Sequence, residues 1–106
     1  MSDYDAFARL DATIAARKGG DAEASWTAKL LARGPEKCAE KFGEEAVEAI
    51  IEAVKGDREK LRAEAADAVY HLAVMLAARG LSLADIATEL SRREGRSGVE
   101  EKASRG

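Results

Sequence analysis

The sequence predicts an all-α protein, a four- to five-helix antiparallel bundle, and three observations carry that reading. Alanine, glutamate, lysine, arginine and leucine dominate, aromatic residues make up 5% and proline occurs once, which is the usage of helices rather than sheets. Apolar residues recur at three- and four-residue spacing through most of the chain. Glycine and the single proline then fall where they cut the chain into helix-length pieces.

Residues 4–18 carry Phe7, Leu10 and Ile14 with intervening alanines at helical spacing, and Gly19-Gly20 stops them. A polar link over residues 21–25 leads to a short second helix with Trp26, Leu30 and Leu31, ended by Gly34-Pro35 because the residue before a proline is pushed out of helical angles. Pro35 suits the first position of a third helix, Glu36 lies in its first turn, and the pattern runs to Val54 before Gly56 closes it. Gly43 interrupts this helix; it marks either a close approach of backbone or ligand, or a tolerated defect. Asp57 caps a fourth helix that runs through Arg79 to Gly80. Ser82-Leu83-Ala84-Asp85 then has the form of a capping box opening a fifth, to about Arg93. Residues 94–106 are rich in glycine, serine and charge and read as a polar tail.

One domain over residues 1–106 is expected, with no repeat and no linker long enough to separate a second unit. At this length only roughly two-thirds of the unfolded surface is buried, so a partner chain would help. The formal charge of -3 hides an uneven spread: residues 92–106 hold five Lys/Arg and three Asp/Glu, against 12 and 17 in the rest. That balance lacks the concentrated basic face of a nucleic-acid binder. Cys38 is the only cysteine, so neither an internal disulfide nor a multi-cysteine metal site forms, and a reducing compartment suits it. No apolar run nears the ~18 residues of a membrane span. The acidic opening Met1-Ser2-Asp3-Tyr4-Asp5 is unlike a signal peptide, and a soluble, cytoplasmic protein is expected.

The chemistry is read from two acidic stripes. At about 100° per residue, Glu44, Glu45, Glu48 and Glu52 share one face of the third helix, with Val47, Ile50 and Val54 on the other. On the fourth helix Glu64, Asp67 and His71 share a narrow stripe beside an apolar band of Leu61, Ala65, Ala68, Leu72 and Leu76. The short Gly56-Asp57 connection makes the two helices antiparallel neighbours, so residues equidistant from it lie at similar height. Glu45, Glu48, Glu64 and Asp67 then converge if both stripes face one groove. Clustered carboxylates repel one another unless they hold hard divalent ions, and magnesium or manganese is the natural occupant.

Metal held only by carboxylates leaves positions for water and phosphate oxygens, which points to phosphoryl chemistry. Either Glu44 or Glu45 is a candidate general base. Lys29, Arg33, Lys37 and Lys41 are candidates for phosphate contacts at the rim. The competing reading is plainer. An acidic stripe is commonly a solvated face, and Lys37, Lys41 and Lys60 are spaced to pair with these acids across turns. His71 reads as a hydrogen-bonded packing residue, Cys38 as buried packing and Trp26 as core, with metal contact, nucleophile and base stacking as the alternatives.

Lys41-Phe42-Gly43-Glu44-Glu45-Ala46-Val47-Glu48, followed by Glu64-Ala65-Ala66-Asp67-Ala68-Val69-Tyr70-His71-Leu72, resembles the MazG-like all-α nucleotide pyrophosphohydrolases. Three further stretches narrow the resemblance to the phosphoribosyl-ATP pyrophosphohydrolase family: Ser25-Trp26-Thr27-Ala28-Lys29-Leu30-Leu31, the run from Glu89-Leu90 through Arg93, and the closing Gly95-Arg96-Ser97-Gly98 and Glu101-Lys102-Ala103-Ser104-Arg105. The resemblance implies magnesium on Glu45, Glu48, Glu64 and Asp67, and water attack at the α–β phosphoanhydride of phosphoribosyl-ATP. Phosphoribosyl-AMP and pyrophosphate would be the products, in the second step of histidine biosynthesis. It implies a homodimer that completes the bundle, and adds Arg105 of the tail to the substrate-binding candidates. Ala68-Val69 stands where bulkier apolar pairs are common and Trp26 where tyrosine is frequent; both swaps touch packing rather than ligands. Many relatives are fused to a cyclohydrolase, and a stand-alone form is expected here. Two rivals remain: a MazG-like enzyme acting on ordinary or damaged nucleoside triphosphates, and a helical adaptor whose acids only solubilise its surface.

Overall fold

In the computed structural model, which describes residues 2–96 and 98–105, every regular element is helical. A 3-10 turn, Asp3–Asp5, leads into α1 (Ala6–Arg17); α2 (Trp26–Arg33), α3 (Pro35–Lys55), α4 (Arg58–Ala77) and α5 (Leu83–Arg93) follow, and α6 (Gly98–Arg105) closes the chain. Helices α1 to α5 fall where periodicity and punctuation put them. The difference is at the end, where the expected tail contains an eight-residue helix. Its charged, alanine-containing sequence has good helix propensity despite offering little to bury. Of the closing motif, Ser97 and the side chains of Glu101 and Ser104 lie outside the described residues.

Local chemistry sets the boundaries. Ser25 accepts a hydrogen bond from Ala28 N, Asp57 from Lys60 N and Ser82 from Asp85 N, and Asp85 accepts one in return from Ser82 N, so each of these helices starts on a satisfied cap. Gly34, at φ 96° and ψ 173°, holds a conformation essentially restricted to glycine and allows Pro35 to open α3 directly after α2. Gly56, at φ 79°, ends α3 in the left-handed region while its N–H bonds to Glu52 O. This two-residue link folds α3 and α4 into an antiparallel hairpin, the most extensive contact in the chain.

The core sits at the end of that hairpin away from its turn. Ile14 of α1, Ala28 and Leu30 of α2, Cys38 of α3, and Ala73 and Val74 of α4 are buried, with Leu10, Leu31, Tyr70 and Met75 packed against them. Cys38 is packing, as expected: its Sγ–H donates to Leu30 O, and burial pushes the thiol pKa up. Trp26 is a correction. It heads α2 at 49% exposed, outside the core, with Lys29 Nζ 6.0 Å from its ring centroid. The buried stripe of α2 is instead Thr27, Ala28 and Leu30.

Three long-range hydrogen bonds lock α1 and its C-cap to the rest. Asp11 accepts from Leu83 N and Ala84 N at 2.9 and 3.0 Å, filling the free N–H groups that open α5. Lys18 Nζ donates to Ala77 O at the end of α4. Toward the hairpin turn the packing is incomplete. Val47, Ile50, Ile51 and Val54 on the outer face of α3 are exposed by 54, 60, 46 and 84%, and the apolar band of α4 (Leu61, Ala65, Ala68, Leu72 and Leu76) is not fully covered either. Gly43 also faces open space, since a Cβ there would meet nothing within 4 Å; no backbone approach within the chain requires it. Among the described residues, no helix is long and apolar enough to cross a membrane.

Candidate functional site: a carboxylate cluster on the α3–α4 hairpin

Glu45 and Glu48 lie one turn apart on the side of α3 that faces α4, and Glu64 of α4 meets them at the same height above the Gly56-Asp57 turn. One carboxylate oxygen from each lies within 4.8 Å of the other two. Asp67, one turn further along α4, is exposed and outside this trio, yet its charge reaches Glu64. Glu52, one turn nearer the hairpin turn, extends the stripe. Its Oε1 and the Oε2 of Glu64 are buried without a hydrogen-bond partner.

Such an arrangement is electrostatically uncomfortable. Ionised carboxylates have no proton to donate, so Glu48 and Glu64 hydrogen-bond only if one of them keeps its proton. Hydrogen bonding with Glu48 raises the pKa of Glu64; burial and the charges of Glu48, Asp67 and Glu45 push it the same way. A solvated acidic face would give its oxygens to water. Here one oxygen of the trio, Glu64 Oε2, is buried without a donor while Glu45 and Glu48 bring further carboxylate oxygens to it, and this oxygen-only set fits a hard divalent cation that supplies the missing charge and the missing ligand.

Glu44 differs from its neighbour. It is exposed and ion-paired with Lys41 at 2.9 Å, and hydrogen bonding to Lys41 holds its pKa below the usual value and that of Lys41 above. Lys37 likewise reaches Glu40 at 3.3 Å. Of the cationic candidates, Lys41 stands beside the cluster, with its pKa also raised by Glu45. Lys29 and Arg33 are exposed on α2, and Arg105 is exposed on α6. His71 is buried at 7% exposure and lies on the acidic stripe of α4; burial lowers its pKa, which favours the neutral ring, against the opposing charge of Glu45. Spacing put Glu52 on the stripe but gave no sign that one of its oxygens is buried, because only packing tells a buried oxygen from a solvated one. An apolar groove lined by Ala6, Phe7, Leu10, Ala65 and Val69 opens on the opposite side of α4 and offers the cluster no ligand.

Fold and site together define an all-helical protein whose longest hairpin presents a convergent carboxylate cluster. Residues 7–94 match the family model described as Phosphoribosyl-ATP pyrophosphohydrolase, and the chain belongs to that family. It is 78% identical over 97 residues to the phosphoribosyl-ATP pyrophosphatase of Paracoccus denitrificans, covering 92% of this chain and 90% of that protein. The protein of the same name from Dinoroseobacter shibae is 76% identical over 98 residues, 92% of this chain and 96% of the relative. That from Ruegeria pomeroyi is 69% identical over 96 residues, 91% of each.

Proposed function

We propose that the chain hydrolyses phosphoribosyl-ATP to phosphoribosyl-AMP and pyrophosphate, the second step of histidine biosynthesis, in the cytoplasm. Family membership and relatives named for this activity support the reaction. The observation that carries the site is the meeting of Glu45, Glu48 and Glu64 within 4.8 Å, with a buried Glu64 oxygen lacking a donor.

Glu45, Glu48, Glu64 and Asp67 would hold magnesium, with manganese as a substitute. Such an ion neutralises charge on phosphate oxygens and makes a water more acidic. The side chains of the hairpin do the rest. The acidic stripes would hold the cation, and the basic side chains at the rim would, together with it, fix the polyphosphate chain along the groove, so that water meets the α–β phosphoanhydride in line with the departing pyrophosphate. Glu44 or Glu45 would serve as general base, Glu45 only through an oxygen that the cation leaves free. Lys41 lowers the proton affinity of Glu44, which makes Glu44 the weaker acceptor until that ion pair opens. Lys41, freed from Glu44, is then a cation for the phosphate chain, with Lys29, Arg33, Lys37 and Arg105 as further contacts.

The active form is a homodimer of one-domain chains. The outer face of α3 and the apolar band of α4 are incompletely covered in one chain, and a second hairpin would cover them as a helix bundle. Pyrophosphate release, measured on phosphoribosyl-ATP, ATP and dUTP with and without magnesium, tests the assignment. Magnesium-dependent turnover that strongly prefers phosphoribosyl-ATP is expected. Equal turnover of simple triphosphates would transfer the chain to the broader MazG-like activity, and no turnover of any would leave a helical adaptor.

A further inference from the structure

We propose that His71 is a positioning residue, which donates a hydrogen bond from Nδ1 to the Glu45 carboxylate and holds it in the orientation that binds the cation; this rests on the metal site proposed above. Three observations lead there. His71 is only 7% exposed, and its Nδ1 is buried with no hydrogen-bond partner among the described residues. An unpartnered nitrogen inside a packed helix pair is costly and calls for a reason. Next, the ring stands on the metal side of α4, one turn beyond Asp67 and two beyond Glu64. By equal distance from the Gly56-Asp57 turn it is level with Phe42, between Lys41 and Glu45 of α3. The charged groups whose fields reach the ring are Glu45 first, then Lys41, Asp67 and Glu44.

Local alternatives for this nitrogen are already engaged. The Tyr70 ring meets His71 edge-on at 4.8 Å, but the Tyr70 hydroxyl is bonded to Thr27 Oγ1. Lys41 is held by Glu44 at 2.9 Å. A neutral imidazole carries one N–H donor and one acceptor nitrogen, whereas an ionised carboxylate only accepts. With the N–H on Nδ1, an ionised carboxylate is the chemically matched partner, and among those whose charge acts on the ring Glu45 acts more strongly than Asp67 or Glu44. Groups that hydrogen-bond to metal ligands fix the ligand geometry, and their loss commonly weakens metal affinity about 10–100-fold.

The test compares His71→Phe, which keeps ring bulk and removes the donor, with His71→Asn, whose amide N–H takes the place of Nδ1–H, and His71→Gln, whose amide lies at the distance of Nε2. Magnesium and manganese affinities come from calorimetry on the full chain, and half-saturating magnesium and kcat from pyrophosphate release. Thermal melting monitors the fold. His71→Phe and His71→Gln are expected to weaken cation binding about 10–100-fold, with kcat largely recovered at saturating magnesium, and His71→Asn to stay near wild type. Nitrogen NMR of the wild type loaded with magnesium should report an Nδ1–H tautomer. Unchanged affinity in folded His71→Phe would overturn the proposal. So would His71→Asn as weak as His71→Gln, a comparison of two polar residues that stands even if the phenylalanine variant does not fold. A wild type that binds neither ion would instead sink the metal-site reading itself.

Discussion

The exposed face of α3 permits a quantitative statement about assembly. Val47, Ile50, Ile51 and Val54 are 54, 60, 46 and 84% exposed in one chain, together about two and a half full side chains of apolar surface. Burying a Val or Ile side chain stabilises by roughly 1.5–3 kcal/mol, so covering this stripe contributes roughly 4–7 kcal/mol per protomer. Ile50 and Val54 account for more than half of it. Replacing both with glutamine keeps good helix formers at each position while removing roughly 4–9 kcal/mol per dimer, which corresponds to at least about three decades in the dissociation constant. Sedimentation or light scattering at micromolar concentration should therefore show a dimer for wild type and a monomer for Ile50→Gln/Val54→Gln. The melting temperature of the wild type should rise with protein concentration, and that of a monomeric variant should not. A double variant that kept the wild-type mass and concentration dependence would refute the assignment of this face.

Glu48→Gln and Asp67→Asn should each abolish pyrophosphate release while leaving helical circular dichroism nearly unchanged; full turnover of both at saturating magnesium would remove the proposed site. Leu30 is completely buried, so Leu30→Ala should cost about 2–5 kcal/mol, or a fall in melting temperature on the order of 10–20 °C, and a drop of only a degree or two would mean that the core is wrongly located. Burial lowers the pKa of His71, against the opposing pull of Glu45, Asp67 and Glu44. The folded chain therefore binds that proton less readily than the unfolded chain, whose histidine titrates near about 6.5. This contribution to stability is complete above that pH and lost as pH falls through the folded pKa. Melting curves of metal-free wild type should decline between about pH 7 and 5 more steeply than those of His71→Phe, and parallel profiles would contradict it.

Much of the fold is local and was legible. Gly34-Pro35, Gly56-Asp57 and the Ser82–Asp85 box act within a few residues of themselves, through allowed backbone angles and satisfied N–H groups, and each marks a helix boundary where expected. The trio Glu45, Glu48 and Glu64 was also legible, because helical period and a two-residue turn leave little freedom in what faces what. Other features carried no local signal. Asp11 caps a helix that starts 72 residues later in the chain, and no spacing rule reaches so far. Trp26 is apolar enough for a core, yet it lies at the rim because α2 turns Thr27, Ala28 and Leu30 inward.

By itself the sequence determined helix type, the limits of α1 to α5 and which residues share a face, since those follow from backbone sterics and a 3.6-residue period. Tertiary structure alone decided which of those faces are covered and which polar atoms lose water. Asp67 and Glu64 share a stripe, but only Glu64 closes with α3 and keeps a buried oxygen without a donor. Burial is a property of what packs opposite, and that neighbour lies elsewhere in the chain, or in a second copy of it.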